Sequence, residues 1–149
     1  MTFIEIHYGS PEYRMECTLR DEVLRIPLGM RLADDDLSSE LHQRHFGLLS
    51  SDSSLVACAI VVAISSQESK IRQMAVRPDF QGKGYGRILM VHLMQRIAGT
   101  GRHQFYLHAR AHVSGFYESL GFTPSGPHFD EIGIPHVKMI HLAEPTSGS

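Results

Sequence analysis

Cysteine is scarce in this sequence: Cys17 and Cys58 are the only two among 149 residues. They stand far apart and in no C-x-x-C pattern, so neither a disulfide framework nor a zinc site is expected, and a reduced, cytoplasmic setting is. Long apolar runs are missing too. The longest, Leu55 to Ile64, falls well short of the roughly 20 residues that cross a bilayer and has the length of a buried strand. Met1-Thr2-Phe3-Ile4-Glu5 lacks the basic start and apolar core of a signal peptide, so no membrane or secretory association is expected. Basic charge is not in excess: 14 Lys and Arg face 16 Asp and Glu, for a net charge of −2, with no long basic block. Sequence-independent nucleic-acid binding rests on clustered cations and is therefore not expected. Ten histidines are many for this length, but none forms an H-E-x-x-H pattern, and no metal is expected. Internal repeats and low-complexity segments are also lacking.

What is present suits one domain with its own core, since 42% of the residues are hydrophobic and 20% charged. Phe3 to Tyr8 alternates apolar and polar residues and reads as a first strand. Pro11 opens a helix to about Leu24, ended by Pro27 and Gly29, and a second short helix is expected between Asp34 and His45 with Asp35 or Asp36 at its N-cap. Leu55 to Ser65 is the strongest strand signal, and with Lys70 to Val76 it reads as an antiparallel hairpin stopped by Pro78. The spacing of Leu89, Met90, Leu93, Met94 and Ile97 predicts a helix from Gly84 to Ala98 with one core face. Gln104 to Ala109 reads as a strand, Ser114 to Leu120 as a short helix with Gly121 as left-handed C-cap, and His136 to Leu142 as a last strand. The order describes a mixed α/β domain over residues 1–143, followed by a disordered tail over 144–149.

Chemistry concentrates in Gln81-Gly82-Lys83-Gly84-Tyr85-Gly86, where glycines alternate after a strand and before a helix. Without Cβ atoms the backbone can adopt positive φ and point successive N–H groups at one spot, the positive end of the helix. Such a nest suits a phosphate or pyrophosphate, with Lys83 and Arg87 at its rim and Arg72 and Arg77 nearby. No Lys-Ser or Lys-Thr follows Gly84 or Gly86, which excludes a Walker A loop, and the spacing G-x-G-x-G is not the G-x-G-x-x-G of a dinucleotide fold. A Gly-rich turn without a ligand is the remaining alternative on the loop alone.

Ile71-Arg72-Gln73-Met74-Ala75-Val76-Arg77-Pro78-Asp79-Phe80, leading into Gln81-x-x-Gly84-x-Gly86, resembles motif A of the GNAT N-acetyltransferase superfamily, [QR]-x-x-G-x-[GA]. Phe116-Tyr117-Glu118-Ser119-Leu120-Gly121-Phe122 resembles that family's motif B. Arg20 to Gly29 and Gly133 to Met139 further resemble a bacterial branch of small GNAT proteins, and the likeness covers about residues 3–142. It implies an α/β fold with a mixed, mostly antiparallel sheet, whose two central parallel strands (70–76 and 104–109) splay apart between flanking helices. It also implies acetyl-CoA as cosubstrate and a primary amine, of a small molecule or a protein, as acceptor.

Carried over position by position, the resemblance gives Met74, Ala75 and Val76 to the pantetheine arm. Gln81, Gly82, Lys83, Gly84, Tyr85, Gly86 and Arg87 fall to the pyrophosphate loop. An amide near Met74 or Ala75 is the implied donor to the thioester carbonyl. Tyr117 matches the family tyrosine beside the sulfur, although its spacing equally suits a core aromatic. His108, Glu131 and His136 are candidate bases, with a water chain as the alternative. Asp34, Asp35 and Asp36 read as a solvated helix start rather than an acceptor site, and His108 with His112 lacks helical spacing for a metal. A non-catalytic acetyl-CoA sensor and a nucleotide-binding regulatory domain remain alternatives, the latter disfavoured by the loop spacing. His136 to Leu142, read as an edge strand with apolar residues on both faces, suggests a homodimer.

Overall fold

The computed structural model describes residues 1–142; the tail 144–149, expected to be disordered, lies outside the described residues. Eight strands form one sheet: β1 (Thr2–Ile6), β2 (Arg44–Leu49), β3 (Leu55–Ala63), β4 (Glu68–Val76), β5 (Gln104–Arg110), β6 (Thr123–Pro124), β7 (Phe129–Glu131) and β8 (Ile134–Leu142). Their order is β1-β2-β3-β4-β5-β8-β6, with β7 also paired to β8. Every pairing is antiparallel except β4 with β5, which is parallel. This is the mixed, mostly antiparallel α/β fold expected from the sequence.

Helices cover both faces. Helix α1 (Pro11–Arg20) starts at Ser10, whose Oγ accepts the Tyr13 N–H at 3.1 Å, and has proline at its first position, where a missing N–H costs nothing. It continues through a π-helical turn (Asp21–Arg25) and a 3-10 turn (Ile26–Leu28) to Gly29 at φ 72°. It packs on β3 and β4 through Tyr13 and Leu19 against Cys58 and Ala75. Helix α2 (Tyr85–Ala98) buries Leu89, Met90, Leu93, Met94 and Ile97, the predicted face, against Phe46, Leu48, Phe105 and Leu107 on the other side of the sheet. Helix α3 (Ser114–Ser119) joins that core through Tyr117, followed by Leu120 and Phe122.

The segment expected to be a second helix forms only two 3-10 turns, Leu32–Asp34 and Ser38–His42, and then β2. Asp36 does not cap a helix; its carboxylate takes the Ser38 N–H at 3.0 Å, an Asx turn that competes with helix. β2 escapes notice in the sequence because it is a central strand carrying a buried histidine, so its faces do not alternate apolar and polar. The last strand is not a bare edge either. β5 lies along one side, and β6, β7 and the Ser125 N–H to Lys138 carbonyl bond (2.8 Å) cover the other. Val137 and Met139 are core residues. The edge premise for a homodimer through β8 is thereby removed.

Candidate functional site

β4 and β5 pair over three positions only, Glu68↔Gln104 to Lys70↔Tyr106, and then separate. The cause lies in β4. Its register against β3 shifts between Cys58 and Ile60, and Gln73 adopts φ 56°, the left-handed region a side chain rarely enters, so the strand carries a β-bulge that turns it from β5. Gln73 is held from behind: its Oε1 accepts a 3.1 Å bond from Nε of Arg20. Arg20 is wholly buried and also donates to Glu16 and Glu40, in each case at 2.8 Å from Nη1. Glu16 is bonded by Nδ1 of His45 at 2.9 Å and Glu40 by the Tyr13 hydroxyl at 2.6 Å. Burial alone pushes the Glu40 carboxyl up, but the bonds from Arg20 and Tyr13 overcome it and hold the group at about 2. Glu16, Glu40 and His45 stand close enough to hold a metal ion, and the Arg20 guanidinium supplies the positive charge there.

A cavity of about 990 Å³ fills the gap between the strands. Along its β4 wall, the Arg77 N–H donates to Val56 of β3 at 2.8 Å, so the peptide groups of Val76 point the other way, toward the gap. Gln81 is a clip here: its Nε2 donates to the Val76 carbonyl at 2.9 Å and ties the Gly-rich loop to the strand. Gly82 and Gly84 have φ of 75° and 87°, and a Cβ built on either meets nothing within 4 Å, so the cradle above them is open. No side chain caps the first turn of α2, which leaves its N–H groups facing that cradle at the positive end of the helix. Gly86 has a different reason to be glycine, since a Cβ there would stand 3.0 Å from Met74 Cε and 3.2 Å from Phe116. Lys83 lies 5.6 Å over the Phe80 ring at the rim, and Arg87 donates to the Ser119 carbonyl at 3.1 Å. An anionic phosphate-bearing chain laid from loop to gap fits these donors.

The far end of the cavity gathers the remaining candidates. Tyr117 is nearly buried, edge-on to Phe116 at 5.0 Å, and burial pushes its phenol up to about 12 against a weak opposite pull from Arg110. It therefore keeps its proton at neutral pH. Nδ1 of His108 lies 3.0 Å from Glu131 Oε1. A carboxylate only accepts, so Nδ1 is the donor in this bond, and Nε2 is the ring nitrogen left for another partner. His136 is buried, bonds the Ile134 carbonyl through Nδ1 at 2.9 Å, and lies 3.5 Å from the other Glu131 oxygen through Nε2. Glu131 thus lies between two histidines and is hydrogen-bonded to His108, the more open of the pair.

Residues 21–142 match the family model for the acetyltransferase (GNAT) domain. The chain belongs to the GNAT acetyltransferase family. A UPF0039 protein of Schizosaccharomyces pombe is 31% identical to it over 97 residues, 64% of this chain and 65% of that protein. The [ribosomal protein bS18]-alanine N-acetyltransferase of Salmonella typhimurium is 36% identical over 85 residues, 54% of this chain and 57% of its own. The matches thus span between half and two thirds of the length of these two curated relatives. Among solved structures, Escherichia coli ElaA superposes with a TM-score of 0.80 at 26% identity, covering 95% of this chain and 99% of ElaA.

In this GNAT chain every candidate named from the sequence lines the cavity except Lys83, which stands at its rim. His108, Glu131 and His136, offered as alternatives, stand together: His108 is hydrogen-bonded to Glu131, and His136 Nε2 lies 3.5 Å from the same carboxylate. Missed altogether were Arg20 and the polar cluster behind the bulge, and Lys70 and Arg110 on the cavity wall. Glu16 and Arg20 at i, i+4 look like a surface helix pair; a trace of the cluster was available only in α1 being too polar for a buried helix.

Proposed function

We propose that this chain transfers an acetyl group from acetyl-CoA to a primary amine by direct attack. The observation that carries the reading is the continuity of the cleft. It runs from an uncapped, glycine-lined helix N-terminus, past the strand edge where the Val76 N–H faces the gap, to a histidine–carboxylate pair and a protonated phenol. The loop amides, with Lys83 and Arg87, take the pyrophosphate. The open edge of β4 at Met74 to Val76 takes the pantetheine arm as a further strand would, and an N–H of that edge donates to the thioester carbonyl. Alternation from the Arg77–Val56 bond turns the peptide groups of Ala75 toward Cys58 of β3, which leaves the neighbouring amides for this role.

At the far end Nε2 of His108 accepts the proton that the amine loses as its nitrogen bonds the carbonyl carbon, and Glu131 steadies the imidazolium that results. The carbon–sulfur bond then breaks, and the Tyr117 hydroxyl gives its proton to the departing thiolate. Release of free thiol, measured with a panel of amines, tests the reading. Amine-dependent release is expected, together with a rise in melting temperature on adding acetyl-CoA that ATP does not reproduce. A rise with acetyl-CoA but no amine-dependent thiol would instead mark a binding module.

A further inference from the structure

Charge on the acceptor side of the cleft is predominantly positive. Alternate residues of a strand share a face, so Tyr106, His108 and Arg110 turn away from the core that takes Phe105, Leu107 and Ala109. The register sets His136 opposite Arg110 and Lys138 opposite His108, which extends the same basic face onto β8. Against Arg25, Lys70, Arg72, Arg87 and Arg110, the cleft wall offers a single carboxylate among the described residues, Glu131.

Three of those five cations have a partner or a post. Arg25 pairs with Asp35 at 2.8 Å, Arg72 with Glu40 at 3.3 Å, and Arg87 stands at the phosphate end. Lys70 and Arg110 pair with no carboxylate among the described residues. Lys70 is half-buried, with its ammonium 5.9 Å from the centre of the Tyr106 ring, and Lys138 stands 4.7 Å from the same ring. Arg110 donates from Nη2 to the Leu24 carbonyl at 2.9 Å, and its other donors have no partner among the described residues. Burial, together with Arg25, pushes the Arg110 guanidinium down, and burial does the same to Lys70, in each case against an opposite pull from the charge of Glu131. Half-buried cations not held in an ion pair are costly, and a bound anion relieves that cost.

We propose that the acceptor is a primary amine that also carries a carboxylate, which Arg110 and Lys70 seat on this face while the amine reaches His108. The amine half rests on the acetyltransferase reading; the carboxylate half rests on the wall charges alone. Arg suits this task because its planar fork matches a carboxylate with two parallel bonds. The same positive surroundings disfavour an ammonium ion, so the acceptor nitrogen sheds its proton more readily and arrives closer to its nucleophilic form.

Glycine, β-alanine and 4-aminobutyrate, each beside its carboxamide, form the test panel, titrated at millimolar concentration with and without CoA. The acids are expected to raise the melting temperature where the amides do not. In thiol release the acids are expected to lead by about tenfold or more in kcat/KM, the scale of one charge-assisted pair. Arg110→Gln should collapse the acid-to-amide ratio toward one and Arg110→Lys should keep part of it; Lys70→Gln is the second variant should the first not fold. Equal performance of acids and amides overturns the proposal. So does a ratio unchanged in Arg110→Gln, which would mean that the residue only braces Leu24, and so does the absence of any shift with the acids. Failure of acetyl-CoA itself to shift the melt counts against the acetyltransferase reading instead, and the acid-versus-amide titration without CoA still decides the anion site.

Discussion

Arg20→Met removes the guanidinium and keeps most of the side chain's length. Glu16 and Glu40, with 0% and 1% of their surface exposed, would then face each other without the cation between them. Breaking a buried ion pair by deleting one partner costs about 3–5 kcal/mol. The lower end applies here, because His45 still bonds Glu16 at 2.9 Å, and Tyr13 at 2.6 Å and Arg72 at 3.3 Å still hold Glu40. For a chain of this size about 3 kcal/mol corresponds to a fall in Tm of roughly 6–12 °C, readable by circular dichroism at neutral pH. The double variant Arg20→Met/Glu40→Leu should recover part of the loss by removing a stranded carboxylate. Gln73 also loses its donor, so acetyl transfer measured well below the melt should fall in kcat more than in KM for the cosubstrate. A Tm within about 2 °C of the parent would refute the view of Arg20 as the charge that holds this cluster together.

Tyr117→Phe keeps the ring against Phe116 but deletes the proton donor; turnover should fall roughly tenfold or more with little change in acetyl-CoA affinity, and unchanged turnover would leave Tyr117 as a core aromatic. Gly84→Ala places a side chain at φ 87° and at the mouth of the cradle, so the acetyl-CoA-induced rise in Tm should shrink by more than the variant's own Tm falls. The buried cluster also sets a pH window. Glu40 is held at about 2, below its ordinary 4.5, so its stabilisation is complete above 4.5 and lost as pH falls toward 2. Burial pulls His45 down, but the Glu16 bond and charge outweigh it and raise the group above its ordinary 6.5. Its stabilisation is therefore complete below 6.5 and lost as pH rises through the folded value. Thermal melts across pH should show Glu40→Gln removing the acid limb and His45→Gln the neutral one, and a variant that leaves its limb in place would contradict the assignment.

The loop and its helix were legible because their signals are local: alternating glycines, a single apolar stripe, and a proline that ends the preceding strand. Tyr117 and the His108–Glu131–His136 group were legible as residues but not as a set, because β7 and β8 bring them together across a turn of Ile132 and Gly133, both at positive φ. β2 was hidden for a different reason. Its His45 serves the cluster around Arg20, so a polar residue occupies a position where a central strand ordinarily carries an apolar one. The bulge was out of reach too, since Gln73 is not a residue that marks positive φ and the arginine that supports it is far away in the chain.

The bond between Arg20 and Gln73 has a consequence for anyone who would redesign this protein. Helix α1 and the turn after it form one wall of the acceptor side, through Val23, Leu24 and Arg25, and would be the natural segment to exchange for a new specificity. That segment is not a free module. Its side-chain hydrogen bond to β4 comes from one buried arginine, whose remaining bonds end on Glu16 and Glu40. A transplanted helix must therefore bring Arg20 and Glu16 with it and find Glu40, His45 and Gln73 waiting, or the graft that widens the cavity will slacken the bulged strand along its other wall.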